Sequence, residues 1–248
     1  MLANLSYSQL ATIWLAVAIA YVIFAIAGFG TALIASPILA QFIPVAQIVP
    51  LLALLDFFAA TANLVRDGRH AEFSELKRLV PFMMAGSAIG AAILLFTKAD
   101  VLLLMLGIFV IAYAIYSLSG YKPFKKFSPA AAVPFGLIGG IFSALFGSGG
   151  FLYSIYLTSR IEDKQQIRIT QSTLIGLSTL TRLTFFLIAG VYADINLLLL
   201  AAALATSMVT GVFIGRHLTL KLTREQFVKV VNMLVLASGV FLLIRYFS

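Results

Sequence analysis

The chain has 248 residues, 62% of them hydrophobic and only 10% charged, with a net charge of +8. Soluble domains carry about 25% charged residues, so this composition excludes a water-covered globule and requires lipid around much of the surface. The absence of cysteine excludes disulfides, thiolate metal sites and cysteine nucleophiles.

Residues 1–10 are uncharged and lack the basic start of a signal peptide. The first apolar run therefore reads as a permanent part of the fold. It belongs to a long interrupted region, 9–42, which breaks at Gly28-Phe29-Gly30-Thr31. A spanning helix needs about 20 mostly apolar residues, and such runs follow at 46–65, 79–96 and 101–119. After a basic linker, 120–129, a second interrupted region runs over 130–158 and breaks at Gly147-Ser148-Gly149-Gly150. Three more spans are predicted at 169–189, 195–214 and 227–247. Glycine costs about 1 kcal/mol relative to alanine inside a helix, so each glycine cluster divides its region into two arms.

The loops set the orientation. Arg66, Arg69, Lys77 and Arg78 lie in 66–78, and Lys122, Lys125 and Lys126 in 120–129. Arg160, Lys164 and Arg168 lie in 159–168, and Arg216, Lys221, Arg224 and Lys229 in 216–229. These four segments hold 14 of the 17 Lys and Arg residues, so all four are expected in the cytoplasm. Basic residues gathered in short loops between apolar runs mark a membrane protein, not a nucleic-acid binder. Because 120–129 and 159–168 share one side, the region between them goes in and comes back as a hairpin, either re-entrant or a pair of tilted spans.

The expected fold is thus all-α, a polytopic transmembrane bundle of two repeats, 1–119 and 130–248, joined by the linker 120–129. Each repeat has a glycine-broken hairpin followed by three spans. The odd number of crossings inverts one repeat relative to the other, a plan common in secondary transporters. Chance similarity among apolar segments is the plainer reading of the repeat.

A helix that starts inside the membrane leaves its first N–H groups unpaired and carries partial positive charge at that end. Such an end favours an anion, and glycine lets the ligand approach the backbone. Gly28, Phe29, Gly30, Thr31, Ser143, Gly147, Ser148, Gly149 and Gly150 are therefore candidate substrate-binding residues, with the hydroxyls of Thr31, Ser143 and Ser148 as added donors. Tight helix packing through small residues is the alternative. Asp56 is the one acid well inside a predicted span, where an ionised carboxylate is costly. It reads either as a proton carrier or cation ligand, or as a group hydrogen-bonded to hydroxyls or to Arg182.

Arg182 offers a donor fork suited to an oxyanion, or else snorkels to the outer surface. Gln171 and Ser172 open the same span, whose polar stripe continues through Ser178, Thr181 and Thr184. Polar side chains of this kind, Asn63 among them, also simply bond helix to helix. His70 and His217 lie in basic loops far from other ligands, so no metal is expected and no cofactor either. The chain contains no Walker loop, dinucleotide fingerprint, Gly-x-Ser-x-Gly elbow or His-Glu-x-x-His. On residues alone the chain reads as a transporter with an anion site.

The run Gly136-Leu137-Ile138-Gly139-Gly140-Ile141-Phe142-Ser143-Ala144-Leu145-Phe146-Gly147-Ser148-Gly149-Gly150 resembles the Gly-x-x-x-Gly-x-x-Ser-x-x-x-Gly-x-Gly-Gly run of the TauE/SafE family of sulfite exporters and related permeases. Gly28-Phe29-Gly30 resembles its first-half counterpart. Gln171-Ser172-Thr173, the stretch from Asn63 to Gly68, and Gly211-x-x-x-Gly215 are also similar to family elements. The chain departs from the pattern at Thr31, where many members have a third glycine. It also lacks the proline often found after the second glycine run, where residues 153–157 stand.

The resemblance implies export of small sulfur-containing or carboxylate anions such as sulfite, sulfonates or sulfoacetate, coupled to an ion gradient. Substrate is expected where the two glycine breaks approach each other, with Arg182 balancing its charge and Asp56 carrying the coupling proton. The expected setting is the inner (plasma) membrane, with the lipid bilayer and a small anion as partners, no nucleic acid, and room for a homodimer. The rival readings are a passive anion channel and an intramembrane enzyme. The enzyme is disfavoured because the embedded ionisable groups reduce to Asp56 and Arg182.

Overall fold

The computed structural model describes residues 6–27, 30–67, 71–119 and 126–217, together with parts of 232–247. Of the side chains within the described helices, those of residues 27, 60–67, 164, 168 and 216 are outside the description. Gly28, Phe29, Arg69, His70, Lys122, Lys125, Lys221, Arg224, Lys229 and Arg245 lie outside the described residues, as do the side chains of Asn63 and Arg66.

Nine helices are described: α1 (Tyr7–Ala27), α2 (Thr31–Leu39), α3 (Val45–Asp67), α4 (Phe73–Phe96), α5 (Ala99–Leu118), α6 (Ala132–Phe146), α7 (Gly150–Arg160), α8 (Lys164–Ile188) and α9 (Ile195–His217). The described residues form no strand. The fold is an all-α bundle, as the composition requires. Among the described residues, five helical stretches are long and apolar enough to cross a membrane: Tyr7–Ile26, Phe73–Phe96, Ala99–Leu118, Pro129–Phe146 and Ile195–Gly215. Phe96, Ile188, Ile195 and Phe213 are exposed large apolar side chains, which suits a lipid-facing surface.

Both expected breaks are present. Helix α1 ends at Ala27 and α2 begins at Thr31 after Gly30, whose φ of 98° is left-handed. Helix α6 ends at Phe146 against Gly147, φ 67°, and α7 begins at Gly150. The second arm of each hairpin is short: 9 residues in α2 and 11 in α7. At 1.5 Å per residue these arms reach roughly 14 and 17 Å, about half of a hydrocarbon core near 30 Å. Neither arm can cross alone.

Several helices outrun their apolar runs. Helix α4 starts at Phe73 instead of 79, with Glu75 in its first turn, and α8 starts at Lys164 instead of 169. Hydrophobicity marks where a helix enters hydrocarbon, not where its hydrogen bonds begin. Local capping sets the latter: the Asp163 carboxylate accepts from the Gln166 backbone N–H at 2.7 Å at the start of α8. Helix α8 is 25 residues long but is absent from the five apolar stretches, because hydroxyl side chains and Arg182 interrupt it.

The helices gather into two compact units that do not follow chain order. One comprises residues 1–51, 96–121 and 196–248. In it α9 lies close against α1. A Cβ on Gly215 would stand 2.6 Å from the Val22 carbonyl oxygen, and one on Gly211 would stand 2.8 Å from Tyr21 Cβ. Trp14 Nε1 donates to Thr206 Oγ1 at 3.0 Å across the same pair. Small residues permit this approach where lipid tails supply no hydrophobic drive for helices to associate.

The other unit comprises residues 52–95 and 122–195. Its α4–α6 contact uses small residues on both partners. A Cβ on Gly90 would stand 2.6 Å from the Ile141 carbonyl oxygen, and one on Gly136 would stand 2.7 Å from Phe82 Cβ. A Cβ on Gly140 would overlap the Met83 carbonyl oxygen. Around this crossing Leu76, Leu79 and Met83 of α4, Tyr153, Tyr156 and Leu157 of α7, and Leu174 of α8 form one buried cluster.

Candidate functional site

The long family-like run thus divides its labour. Gly136 and Gly140 bring α6 onto α4. Gly147 ends α6 in a backbone conformation that costs other L-residues about 1–2 kcal/mol, and its N–H donates to the Ser143 carbonyl at 2.8 Å. Ser148 N–H donates to the Phe142 carbonyl at 3.3 Å, completing the turn. Gly149 then brings α7 back along α6, where a Cβ would overlap the Gly139 carbonyl oxygen and stand 2.9 Å from Ser143 Cβ.

Arg182 meets this turn from α8. Its side chain is buried, not snorkelled: the residue is 2% exposed. Nη1 donates to the Ser143 carbonyl at 3.1 Å and Nη2 to Thr179 Oγ1 at 3.2 Å. Nη2 also stands 3.6 Å from Asp56 Oδ2, an ion pair with both side chains buried. The guanidinium therefore sits at the C-terminal end of α6, where unpaired carbonyls concentrate negative charge. It also neutralises the acid that α3 carries into the interior. Asp56 is thus paired with Arg182, one of the partners expected for it.

Two further side chains belong to the same group. Ser143 Oγ and Ser178 Oγ lie 2.6 Å apart, so one hydroxyl donates to the other. Gln171 Nε2 reaches the Gly150 carbonyl at 3.5 Å. Gln171, Ser178 and Arg182 recur at helical spacing and face α6 and α7. Ser172 is exposed on another face of α8. Thr181 and Thr184 turn away from the group and donate to their own helix, at Leu177 O and Leu180 O, at 2.8 and 2.9 Å. In the other unit Thr31 is buried at the start of α2, while Gly28 and Phe29 lie outside the described residues.

Three polar atoms of this region are buried without a hydrogen bond of good geometry: Arg182 Nε, Ser148 Oγ and Tyr153 Oη. Each can donate. An unmet buried donor costs about 1–3 kcal/mol, so this part of the bundle carries a polar cost that its own side chains do not offset.

A second polar cluster escaped sequence reasoning. Glu75, 4% exposed, accepts from Tyr156 Oη at 2.6 Å, from Arg78 Nη1 at 2.7 Å, and from Arg160 Nε and Nη2 at 3.1 and 3.0 Å. Arg160 Nη1 also donates to the Phe127 carbonyl at 3.1 Å. Beside it Glu72 N–H donates to the buried Thr170 Oγ1 at 2.8 Å. The cluster fastens the last turn of α7 to the first turn of α4. Its only sequence signal is an acid among the bases of a segment expected to be loop. Glu75→Gln removes the charge that two arginines share. We expect it to destabilise the protein by about 1.5–3 kcal/mol, read as a lower unfolding temperature in detergent. Outside the spans, the hydrogen bond and charge of Lys126 Nζ, 2.6 Å from Glu162 Oε1, hold that carboxyl below its ordinary value.

A broken helical hairpin with a buried charge pair at its turn, in a bundle with five membrane-length apolar stretches, defines a multi-pass membrane protein with an internal polar site. The family model described as "Sulfite exporter TauE/SafE" matches residues 13–242. The chain belongs to that family, and its role is that of a membrane transporter. No curated protein and no solved structure matches the chain significantly.

Proposed function

We propose that this transporter exports a small sulfur-containing or organic anion, such as sulfite, a sulfonate or sulfoacetate, coupled to an ion gradient. Its basic loops face the cytoplasm across the inner membrane. The observation that carries this reading is the turn between α6 and α7, where Arg182 is buried among donors that lack acceptors. An oxyanion supplies such acceptors, and charge-assisted bonds to a guanidinium are among the stronger hydrogen bonds. Asp56, paired with Arg182 at 3.6 Å, balances the cation while the site is empty. When an anion takes over that role, the carboxylate gains a reason to bind a proton, and substrate and proton movement become linked.

The order of elements supports two inverted repeats, 1–119 and 130–248. A long helix, a glycine break and a short arm precede three helices in the first repeat. The second begins the same way with α6, α7, α8 and α9. Ser143, Gly147, Ser148, Gly149, Gly150, Gln171 and Arg182 form the substrate site of the second repeat in this reading, and Gly28, Phe29, Gly30 and Thr31 are the matching stretch of the first.

The test is flux into proteoliposomes holding the purified full-length protein, with labelled sulfite, sulfoacetate and taurine offered separately under an imposed proton gradient. Saturable, gradient-dependent flux of sulfite or sulfoacetate is expected. Flux of none of the three would remove the substrate class. Conductance far above carrier turnover would make the protein a channel.

A further inference from the structure

We infer that Tyr153 is a specificity residue of this transporter, its phenol donating to an oxygen of the bound oxyanion alongside Ser148 Oγ and Arg182 Nε. The inference deepens the function proposed above and rests on it. Tyr153 lies one turn into α7 and is fully buried. Its ring is held in place by Gly139 of α6: a Cβ there would overlap Cε1 and stand 3.0 Å from Cζ. The hydroxyl comes up beside Arg182 and makes a loose contact with Ser178, but closes no hydrogen bond of good geometry. Ser178 is already engaged with Ser143 at 2.6 Å.

A tyrosine in a membrane interior has a ready cheaper substitute, phenylalanine, which packs the same ring without a polar atom. A hydroxyl left unmet beside a guanidinium is therefore a donor waiting for an acceptor. Ser148, 5% exposed, is in the same condition at the turn. One helical turn separates Gly149 from Tyr153, and both lie against Gly139. The three donors thus share one neighbourhood around residues 139–143 of α6. Arg182 can only donate, and both hydroxyls can turn their protons toward the same acceptor, so the set favours a deprotonated anion with several oxygens, such as sulfite or a sulfonate, over a cationic solute.

The experiment compares wild type, Tyr153→Phe and Ser148→Ala in proteoliposomes with labelled sulfite, and follows unfolding in detergent with and without sulfite. For Tyr153→Phe we expect KM to rise about tenfold, as the loss of one bond to a charged group predicts, with kcat retained. Its ligand-free unfolding temperature should be unchanged or higher, because the variant loses a buried polar atom and no hydrogen bond of good geometry. The stabilisation that sulfite gives the wild type should shrink. Ser148→Ala should raise KM in the same direction.

An active wild type whose KM is unchanged in Tyr153→Phe overturns the inference and leaves the transport reading standing. So does a ligand-free unfolding temperature that falls while KM holds, since that assigns the phenol to structure. A folded wild type that moves none of the three labelled compounds overturns the transport reading, and this inference with it.

Discussion

Arg182→Ala is expected to abolish anion flux and to destabilise the protein by about 3–5 kcal/mol, the usual consequence of removing one partner from a buried ion pair. The loss has two sources. Asp56 keeps its carboxylate in the interior without the cation 3.6 Å away, and the Ser143 carbonyl loses the donor at 3.1 Å. A double variant separates structure from transport. Arg182→Met combined with Asp56→Leu replaces both charges with apolar side chains, and such exchanges are often neutral or stabilising. It should recover most of the unfolding temperature and none of the flux. Thermal unfolding in detergent and sulfite uptake in proteoliposomes read the two effects independently. Wild-type uptake in Arg182→Ala would remove the guanidinium from the mechanism.

Gly140→Leu is expected to cost about 3 kcal/mol or more, the upper end of overpacking, and to leave little folded protein in the membrane. The first added carbon already overlaps the Met83 carbonyl oxygen and stands 2.8 Å from the Ser87 amide nitrogen. Backbone cannot step aside as a side-chain tip can, so α4 and α6 must part. Their separation would also break the Ser87 hydroxyl's bond to the Gly140 carbonyl at 3.4 Å. Gly190 is the control. Nothing stands within 4 Å of a Cβ there, and its left-handed φ of 74° is one that asparagine tolerates, so Gly190→Asn should fold. Recovery of monodisperse protein after membrane extraction measures both.

The helices and their breaks were legible because two properties act locally. Apolar runs of membrane length betray the spans, and clustered glycine betrays where a span gives way, so α6 was expected to stop near Gly147 and stops at Phe146. Helix starts were less legible, because charged turns beyond the hydrocarbon remain helical; α4 and α8 begin six and five residues before their predicted spans. At the site, Arg182 and Asp56 stood out as ions in apolar surroundings. Their pairing, 126 positions apart in the chain, was one reading among several.

Tyr153 could not be singled out, since an aromatic inside an apolar run looks like core until its hydroxyl is seen without an acceptor. Glu75 was hidden for the opposite reason. An acid beside Lys77 and Arg78 looks like solvated loop, and only the fold brings Tyr156 and Arg160 over it. Ser172 shows the limit of reading adjacent residues as a unit. It neighbours Gln171 in the chain, but a helix turns successive side chains by 100°, and the two face different surroundings.

One carbonyl, that of Ser143, holds both the Gly147 amide and the Arg182 guanidinium. The elbow of the hairpin and its cation are therefore clasped by a single oxygen. Cargo that draws the cation toward itself releases one of two protons from that oxygen and leaves the elbow on the other alone. Deuterium uptake at Gly147 would then register whether the carrier is loaded, with no label on the cargo.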